Sequence, residues 1–449
     1  MKKLVLYWFR HDLRMNDNFA LQQACRFASE QGAVLLPVFC HTDADGAIRT
    51  ATTRWGFPRM SLHRQHFLKD ALVDLRQQWR GFEFDLIELD GDFAAQTHFF
   101  SHLAQHYALL GIFAEEIAAP EEMAQVARLR AMGNSVQLIW QSSMLDPAIF
   151  DFSLEKMPDQ FTAFRQKIES AGYLIRSAAE LNLNSLSGTH DAALLDFSVE
   201  RKAPQLSKPV HDARSSFPYW KAEFDGGSSA ALRHLEHYFG GDLAHHYKQT
   251  RNQLFGQDFS TKFSPWLASG ALSAQQIISA LRDFEQRQGK SDSSYWINFE
   301  LLWRDYFRFL HHKYGAKLYR ASGLSKQPVT LPPFNEEGFW RWANGQTGEP
   351  LVDAGMRELS ATGYLSNRLR QQVASYWMHE MQGDWRVGTG WFESQLLDYD
   401  VYSNQGNWLY LAGLGTDPRG GLGGRWFDPQ KQASQYDADG AYRRRWNTL

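Results

Sequence analysis

The spacing of apolar residues changes once along this 449-residue chain, and that change limits what it can fold into. Over residues 1–140, short apolar runs alternate with longer amphipathic stretches, which is typical of a parallel sheet covered by helices. From residue 228 onward the apolar spacing is helical almost throughout. The chain is also longer than one hydrophobic core usually supports. We therefore predict a doubly wound parallel-sheet α/β domain over residues 1–140 and an all-α domain over residues 228–449.

The N-terminal runs predict individual elements. The clearest helix covers residues 58–79, where Leu and Phe recur at spacings near 3.6. A sheet of this kind binds ligands beyond the carboxyl ends of its strands. Neither a glycine-rich dinucleotide motif nor a P-loop motif is present, so an ordinary NAD or P-loop site is excluded. We predict strands at residues 4–9, 34–39, 84–89, 110–114 and 136–140.

The stretch after residue 140 loses the alternation and is rich in Ser, Pro, Asn and Asp. It contains one predicted helix, at residues 159–170. We interpret residues 141–227 as a long connector that crosses the surface.

Composition restricts the setting of the protein. Cys25 and Cys40 form neither a disulfide framework nor a metal-ligand pattern, which favours a reducing cytoplasm. The apolar run at residues 4–9 is too short for a signal sequence, and no apolar stretch reaches membrane-spanning length. The net charge of −3 argues against non-specific coating of nucleic acid. Residues 247–320 nevertheless carry more Lys and Arg than Asp and Glu, and this excess fits either a local basic face or an ordinary surface.

Residues 397–410 hold the closest cluster of potentially functional side chains. Asp398 and Asp400 are two residues apart, Asn404 and Trp408 follow them, and the segment holds no cation to balance the acids. Carboxylate oxygens and a short amide suit the N–H groups and hydroxyls of a polar ring. An indole close by suits electron exchange with such a ring. These residues predict a site for a polar, redox-active cofactor.

This segment, with the regions around Trp303, residues 367–370 and Trp385, resembles the photolyase and cryptochrome flavoproteins, and within them the cryptochrome DASH group. The likeness extends from the motif at residues 8–18, Trp-Phe-Arg-His-Asp-Leu-Arg-Met-Asn-Asp-Asn, almost to the end. It implies an antenna-binding α/β domain followed by a helical FAD-binding catalytic domain. It also implies FAD as the cofactor, active in its reduced anionic form.

The resemblance assigns a flavin site. Residues 260–264 place hydroxyl groups and an ammonium just ahead of a predicted helix, and such donors suit a phosphate. Ser264 alone also fits a plain N-cap. By resemblance this loop holds the FAD diphosphate, and Tyr247 and Arg251 line the same pocket. Arg370 and Glu380 resemble an arginine and acid pair beside the flavin, where a surface pair is the alternative. The phosphate loop is Ser260, Thr261, Lys262, Phe263 and Ser264, and the core of the site is Asp398, Asp400 and Asn404.

Trp408 and Trp385 match the inner two tryptophans that carry an electron to the photoexcited flavin in this family. Either alone would also fit aromatic core packing. The third, outermost tryptophan is missing, because residues 331–334 read Leu-Pro-Pro-Phe. Either Trp340 or a tyrosine replaces it, or photoreduction is slow and chemical reductants take its place.

The helix predicted around residues 294–311 carries the lesion site by resemblance. Glu300 and Trp303, three residues apart, point to one side, where an indole stacks on a flipped-out pyrimidine dimer and a carboxyl group bonds its edge. Periodicity alone fits a plain amphipathic helix. Tyr410 stands where duplex-repairing members carry a second tryptophan, which favours single-stranded DNA. Arg368 and Arg425 would contact phosphates.

The expected function is light-driven repair of cyclobutane pyrimidine dimers by electron transfer. Positions 366 and 367 lack the His pair of (6-4) photoproduct repair. Glu116 resembles a pterin-binding glutamate, so a folate antenna, methenyltetrahydrofolate, is expected. The alternative function is a blue-light photoreceptor that signals through the same flavin. We expect no long tail after Tyr436, which favours repair, and we expect a monomer.

Overall fold

The N-terminal part of the computed structural model is a parallel sheet. The structure describes residues 1–43, 46–47, 51–176, 178, 181, 192–198, 207, 209–417 and 423–447. The strands are β1 Lys2–Phe9, β2 Val34–Asp43, β3 Gly46–Ala47, β4 Ile87–Asp90, β5 Tyr107–Glu115 and β6 Val136–Ile139. In space, parallel strands follow the order β4, β2, β1, β5, β6, and β3 pairs antiparallel with the end of β2.

Both faces of this sheet are buried, which explains its unbroken apolar strands. On β1, Val5 and Tyr7 belong to one core cluster, and Leu4 and Leu6 belong to another on the opposite face. The predicted doubly wound α/β class is confirmed. The predicted helix at residues 58–79 begins only at Leu62, because the Ser61 side chain accepts the Arg64 backbone N–H and caps the helix.

The helices alternate with these strands and then take over the chain. The first group is α1 Phe19–Gln31, α2 Leu62–Arg80, α3 Thr97–His106, α4 Pro120–Ala131, α5 Phe161–Ala171 and α6 Ala192–Leu195. The second is α7 Ser228–Gly240, α8 Leu243–Thr250, α9 Ser264–Ser269, α10 Ala274–Gln288, α11 Asp292–Tyr314, α12 Glu336–Ala343, α13 Pro350–Thr362, α14 Asn367–His379, α15 Trp385–Gln395, α16 Val401–Ala412, α17 Pro429–Tyr436 and α18 Ala441–Asn447. Within the described ranges, no helix combines the length and the apolar character needed to cross a membrane.

Polar contacts join the sheet to the helical part. Asp305 of α11 accepts the backbone N–H groups of Met144 and Leu145, each at 2.9 Å. Gly270, at the end of α9, has φ +72°, and a Cβ there would lie 1.9 Å from the His11 carbonyl oxygen. The two parts therefore meet with backbone in close contact.

Candidate functional site

Asp398 and Asp400 precede α16, and each is paired with an arginine from another helix. Arg370 Nη2 donates to Asp398 Oδ2 at 2.8 Å, and Arg308 Nη2 donates to Asp400 Oδ2 at 2.5 Å. The Asp400 side chain also caps α16 by accepting the Ser403 backbone N–H at 2.8 Å. The segment itself holds no cation, and α11 and α14 bring the balancing arginines from outside it.

The two acids differ in what they still offer a ligand. Burial by itself raises the pKa of Asp400, but Arg308 and Arg304 outweigh it and hold that pKa below its ordinary value. The Asp400 oxygens are engaged by Arg308 and Ser403. Asp398 Oδ1 is buried and has no hydrogen-bond partner in the described part of the chain. Asp398 therefore keeps an acceptor for a ring N–H or a hydroxyl, and Asp400 serves mainly to fix α16.

The predicted pairing of Arg370 with Glu380 is wrong. Ten residues of helix advance about 15 Å along the axis and turn the side chains to different faces. Arg370 bonds Asp398 instead, and Glu380 is exposed at the end of α14, where it accepts the Trp426 Nε1–H at 2.8 Å. Glu380 lies outside the site.

Asn404 lies one turn into α16 and faces the interior. Its Nδ2 donates to the Thr389 carbonyl oxygen of α15 at 3.1 Å. In the described ranges its Oδ1 accepts no hydrogen bond from the protein. Asn404 is half-buried and lines a cavity, so its amide oxygen is available to a ligand.

Lys262 occupies the centre of the predicted phosphate loop. It is buried, with Nζ 3.5 Å and 4.6 Å from the ring centroids of Phe259 and Tyr364, and it donates to the Tyr364 hydroxyl at 3.3 Å. Among the described residues it makes no ion pair, and burial lowers its pKa well below the ordinary value. Its φ of +55° is in the left-handed region, which costs about 1 to 3 kcal/mol for a residue with a side chain. A buried ammonium without a carboxylate suits a phosphate.

The neighbours of Lys262 divide into donors and packing residues. Ser260 and Thr261 are half-buried, and Ser264 is exposed at the start of α9. Phe263 and Tyr247 are buried in the core formed by the first helices of the C-terminal part. The hydroxyls, the Lys262 ammonium and the free Asp398 oxygen together form a donor and acceptor set that fits FAD.

Glu300 and Trp303 lie on one side of α11. Arg251, expected beside the flavin, forms an ion pair with Glu300, and its guanidinium carbon lies 4.2 Å from the Trp296 ring centroid. Burial raises the pKa of Glu300, and Arg251 counteracts this effect. The acid therefore has a counter-ion that a ligand would have to displace or share.

Trp303 forms one wall of an aromatic corner. One face of its indole stacks on Phe161 of α5, with centroids 3.6 Å apart and planes 14° apart. Tyr410 stands edge-on to it at 6.1 Å and 81°. Both rings also line a cavity of about 300 Å³. Only the face of Trp303 opposite Phe161 remains for stacking on a ligand.

Trp408 and Trp385 lie on the adjacent helices α16 and α15. Trp408 is buried, and a Cβ at Gly388 of α15 would lie 2.2 Å from its ring. Trp385 is three residues from Gly388 and donates its Nε1–H to the Ala321 carbonyl oxygen at 3.2 Å. The fold thus brings the two indoles to neighbouring helices.

The two arginines expected to contact DNA are partly engaged within the protein. Arg368 is half-buried and donates to Asn252 Oδ1 at 2.9 Å. Arg425 pairs with Asp417 at 2.7 Å, and its guanidinium carbon lies 4.7 Å from the Tyr410 ring centroid. The glycine-rich loop before Arg425 lies outside the described residues from 418 to 422.

A cavity of about 610 Å³ separates the carboxyl ends of β1 and β2 from α15 and α16. Its lining includes Arg10, Trp55, Trp385 and Asn404. Glu116, the predicted antenna residue, is not in this lining. It lies at the end of β5 with its Oε1 4.0 Å from His312 Nδ1.

Sequence reasoning missed Arg308 and Phe161. Arg308 is an arginine within a largely apolar helical stretch, and a buried arginine requires an acid from elsewhere in the fold. That requirement was a usable signal for Arg308. Phe161 carried no signal, because its contact with Trp303 spans 142 positions of sequence.

Comparisons with known proteins cover almost the whole chain. Residues 296–448 match the family described as FAD binding domain of DNA photolyase, and residues 5–181 match the family described as DNA photolyase. A cryptochrome DASH of Idiomarina loihiensis is 39% identical over 99% of this chain and 92% of its own length. The crystal structure of a Synechocystis cryptochrome superposes with a TM-score of 0.83 at 35% identity, covering 99% of this chain and 89% of that one. A class III photolyase from Agrobacterium tumefaciens has a TM-score of 0.76 at 23% identity, covering 99% and 86%, and supports the fold alone.

Proposed function

The chain belongs to the photolyase and cryptochrome family and is similar to its cryptochrome DASH members, and from this we propose that it uses light to repair cyclobutane pyrimidine dimers. The preferred substrate is single-stranded DNA. The reaction is a carbon–carbon lyase reaction that needs no protein nucleophile. The protein contributes binding, orientation and a fixed polar environment.

One observation carries this proposal. Glu300 lies one turn from Trp303 on α11, and Trp303 meets Tyr410 at nearly a right angle. A flipped-out dimer stacks on one ring and rests against the other, while the carboxyl group bonds the polar edge of a base.

FAD, when bound, supplies the absorption of light and the electron that opens the cyclobutane ring. Lys262 and the hydroxyls of Ser260, Thr261 and Ser264 hold its phosphates. Asp398, oriented by Arg370, and Asn404 bond its ring through their free oxygens. Tyr247, Phe263 and the Arg308–Asp400 pair shape and brace the pocket, and the reduced anionic form of the cofactor is the active one.

The preference for single-stranded DNA follows from weak stacking of the protein on the pyrimidine dimer. Tyr410 offers a smaller ring than an indole, so less stacking energy is available to pay for unpairing a duplex. Arg368 and Arg425 bond phosphates once DNA displaces their present partners. Little energy is needed to unstack a base that is already unpaired.

The remaining assignments extend this proposal. Trp408 and Trp385 carry electrons to the flavin. A folate antenna beside Glu116 stays a prediction. We propose a monomer that works in the cytoplasm.

The test is illumination of chemically reduced protein with an ultraviolet-irradiated single-stranded oligonucleotide. We expect dimers to disappear, measured by chromatography of the digested DNA. Glu300→Ala and Trp303→Ala should each slow the loss about 10-fold or more, because each removes a contact worth about 1.5 kcal/mol. Asp292→Ala, an exposed residue on the same helix, is the matched control. Flavin photoreduction without any dimer loss would favour the photoreceptor alternative.

A further inference from the structure

Tyr319 and His311 form a hydrogen-bonded pair of a tyrosine and a base. The Tyr319 hydroxyl lies 3.1 Å from His311 Nε2, and His311 Nδ1 lies 2.8 Å from the Phe307 carbonyl oxygen. A carbonyl oxygen only accepts, so Nδ1 carries the proton. Burial lowers the pKa of His311 to about 4, which keeps the imidazole neutral. Nε2 is therefore a vacant acceptor, and Tyr319 donates to it.

Tyr319 shares a cavity with one residue of the predicted electron relay. Tyr319 and Trp385 line the same 610 Å³ cavity, and Asn404 lines it as well. The Trp385 indole N–H is bonded to the Ala321 carbonyl oxygen, two residues after Tyr319. The phenol and the second tryptophan thus line one cavity, and the Trp385 indole is bonded to the chain segment that carries Tyr319.

Trp340 is the competing candidate for the outer electron donor. It is half-buried and 5.9 Å from Trp391, which lies six residues after Trp385 on α15. Six residues turn about 600° around a helix, so Trp391 and Trp385 point to different faces. The Trp391 indole N–H is buried without a hydrogen-bond partner in the described residues, so no base takes its proton. The route through Trp391 therefore lacks the acceptor that Tyr319 has.

We propose that Tyr319, with His311 as its proton acceptor, is the outer electron donor that replaces the missing third tryptophan. This inference rests on the proposed function, because it needs a bound flavin that takes an electron from Trp408. Trp385 refills Trp408, and Tyr319 then gives one electron to oxidised Trp385 while its phenolic proton moves to His311 Nε2. The products are neutral Trp385, a neutral tyrosyl radical and an imidazolium.

A thiol in solution completes the sequence. It gives one electron and one proton to the tyrosyl radical, which restores the phenol, and the imidazolium releases its proton to water. Thiols are oxidised in pairs to a disulfide. The electron that reaches the flavin is therefore drawn, in net terms, from the thiol.

The experiment is electron paramagnetic resonance of the flavin-loaded protein, illuminated without thiol and frozen. We expect a tyrosyl radical in the wild type, and a slower formation of this radical in D2O. Tyr319→Phe should abolish the tyrosyl signal. His311→Gln should lower its yield and remove the isotope effect, because an amide accepts a hydrogen bond but takes no proton.

Two control variants make the outcome specific. Tyr314 lies five residues before Tyr319, but its hydroxyl bonds Asp159 and its side chain does not line the cavity. Tyr314→Phe should therefore leave the radical unchanged. Trp340→Phe should also leave it unchanged. A tyrosyl radical that persists in Tyr319→Phe, or that disappears in Trp340→Phe, overturns the inference. Repair by chemically reduced wild-type protein, which bypasses the relay, tests the proposed function separately.

Discussion

Burial shifts the pKa of two neighbouring residues, one of them in the predicted phosphate loop. Glu358 of α13 is buried, accepts the Tyr442 hydroxyl at 2.6 Å and has its pKa raised to about 7 by burial. The pKa of Lys262 moves the other way for the same reason. Both groups are held toward their neutral forms. Residue type alone gives the ordinary pKa, and only the depth of burial tells how far it moves.

The raised pKa of Glu358 predicts how the free energy of unfolding depends on pH. Its pKa is about 7 in the folded protein and near 4.3 in an unfolded chain, so between these values the folded state holds a proton that the unfolded state has lost. Its contribution is therefore full below about pH 4.3 and is lost as the pH rises through about 7. We expect the free energy of unfolding of Glu358→Gln, relative to wild type, to increase by roughly 2 kcal/mol between about pH 5 and about pH 8. Urea denaturation of the flavin-free protein measures it.

The control for this prediction is Glu337→Gln, an exposed acid on α12. Its free energy of unfolding relative to wild type should hardly change over the same pH range. A Glu358→Gln difference that is independent of pH would contradict the raised pKa.

Glycines set how closely the helices around the site pack. Gly388 lets α15 lie against the Trp408 indole, and Gly406 lets α16 lie against Phe307 of α11. The apolar period predicted helices throughout this region, as the fold confirms. It could not predict these approaches, because a glycine looks the same in sequence whether it faces a ring or open solvent. For the same reason the period did not show that Arg370 faces Asp398 and not Glu380.

Gly388→Ala tests the contact between α15 and α16. An alanine in a helix is ordinarily more favourable than a glycine by about 0.5 to 1 kcal/mol. Here the added Cβ would lie 2.2 Å from the Trp408 ring, so we expect a net destabilisation of about 1 to 3 kcal/mol. Urea denaturation measures the free energy of unfolding.

Gly240→Ala provides the comparison, because an added Cβ at the end of α7 meets no atom within 4 Å. This variant should be neutral or slightly stabilised. Equal effects of the two substitutions would show that the Trp408 contact is not tight.

Binding of the cofactor and the stability of the folded protein are coupled. The 610 Å³ cavity has walls from both the sheet and the helical part. Anything that binds only the folded state stabilises it in proportion to the logarithm of its free concentration. Lys262 adds an opposing effect, because a buried, unpaired ammonium is costly without its phosphate.

Removal of FAD should therefore reverse the ranking of two proteins. Without FAD, Lys262→Met should be the more stable, because a similar-sized apolar side chain replaces the unpaired ammonium. With excess FAD, the wild type should gain more, and its melting temperature should rise with FAD concentration. Thermal unfolding followed by circular dichroism measures both. If Lys262→Met gains as much from FAD as the wild type, Lys262 does not hold the phosphate.

The sequence by itself determined the fold class and the family, and it supplied the candidate residues of the site. Apolar periods record burial locally, and motifs such as residues 397–410 keep their chemistry within a few positions. The tertiary structure alone decided the partners: Arg308 for Asp400, Arg370 for Asp398, Arg251 for Glu300 and Phe161 for Trp303. The physical reason is that each of these contacts joins side chains at least 28 positions apart. Their distance is set by helix packing, which no local pattern encodes.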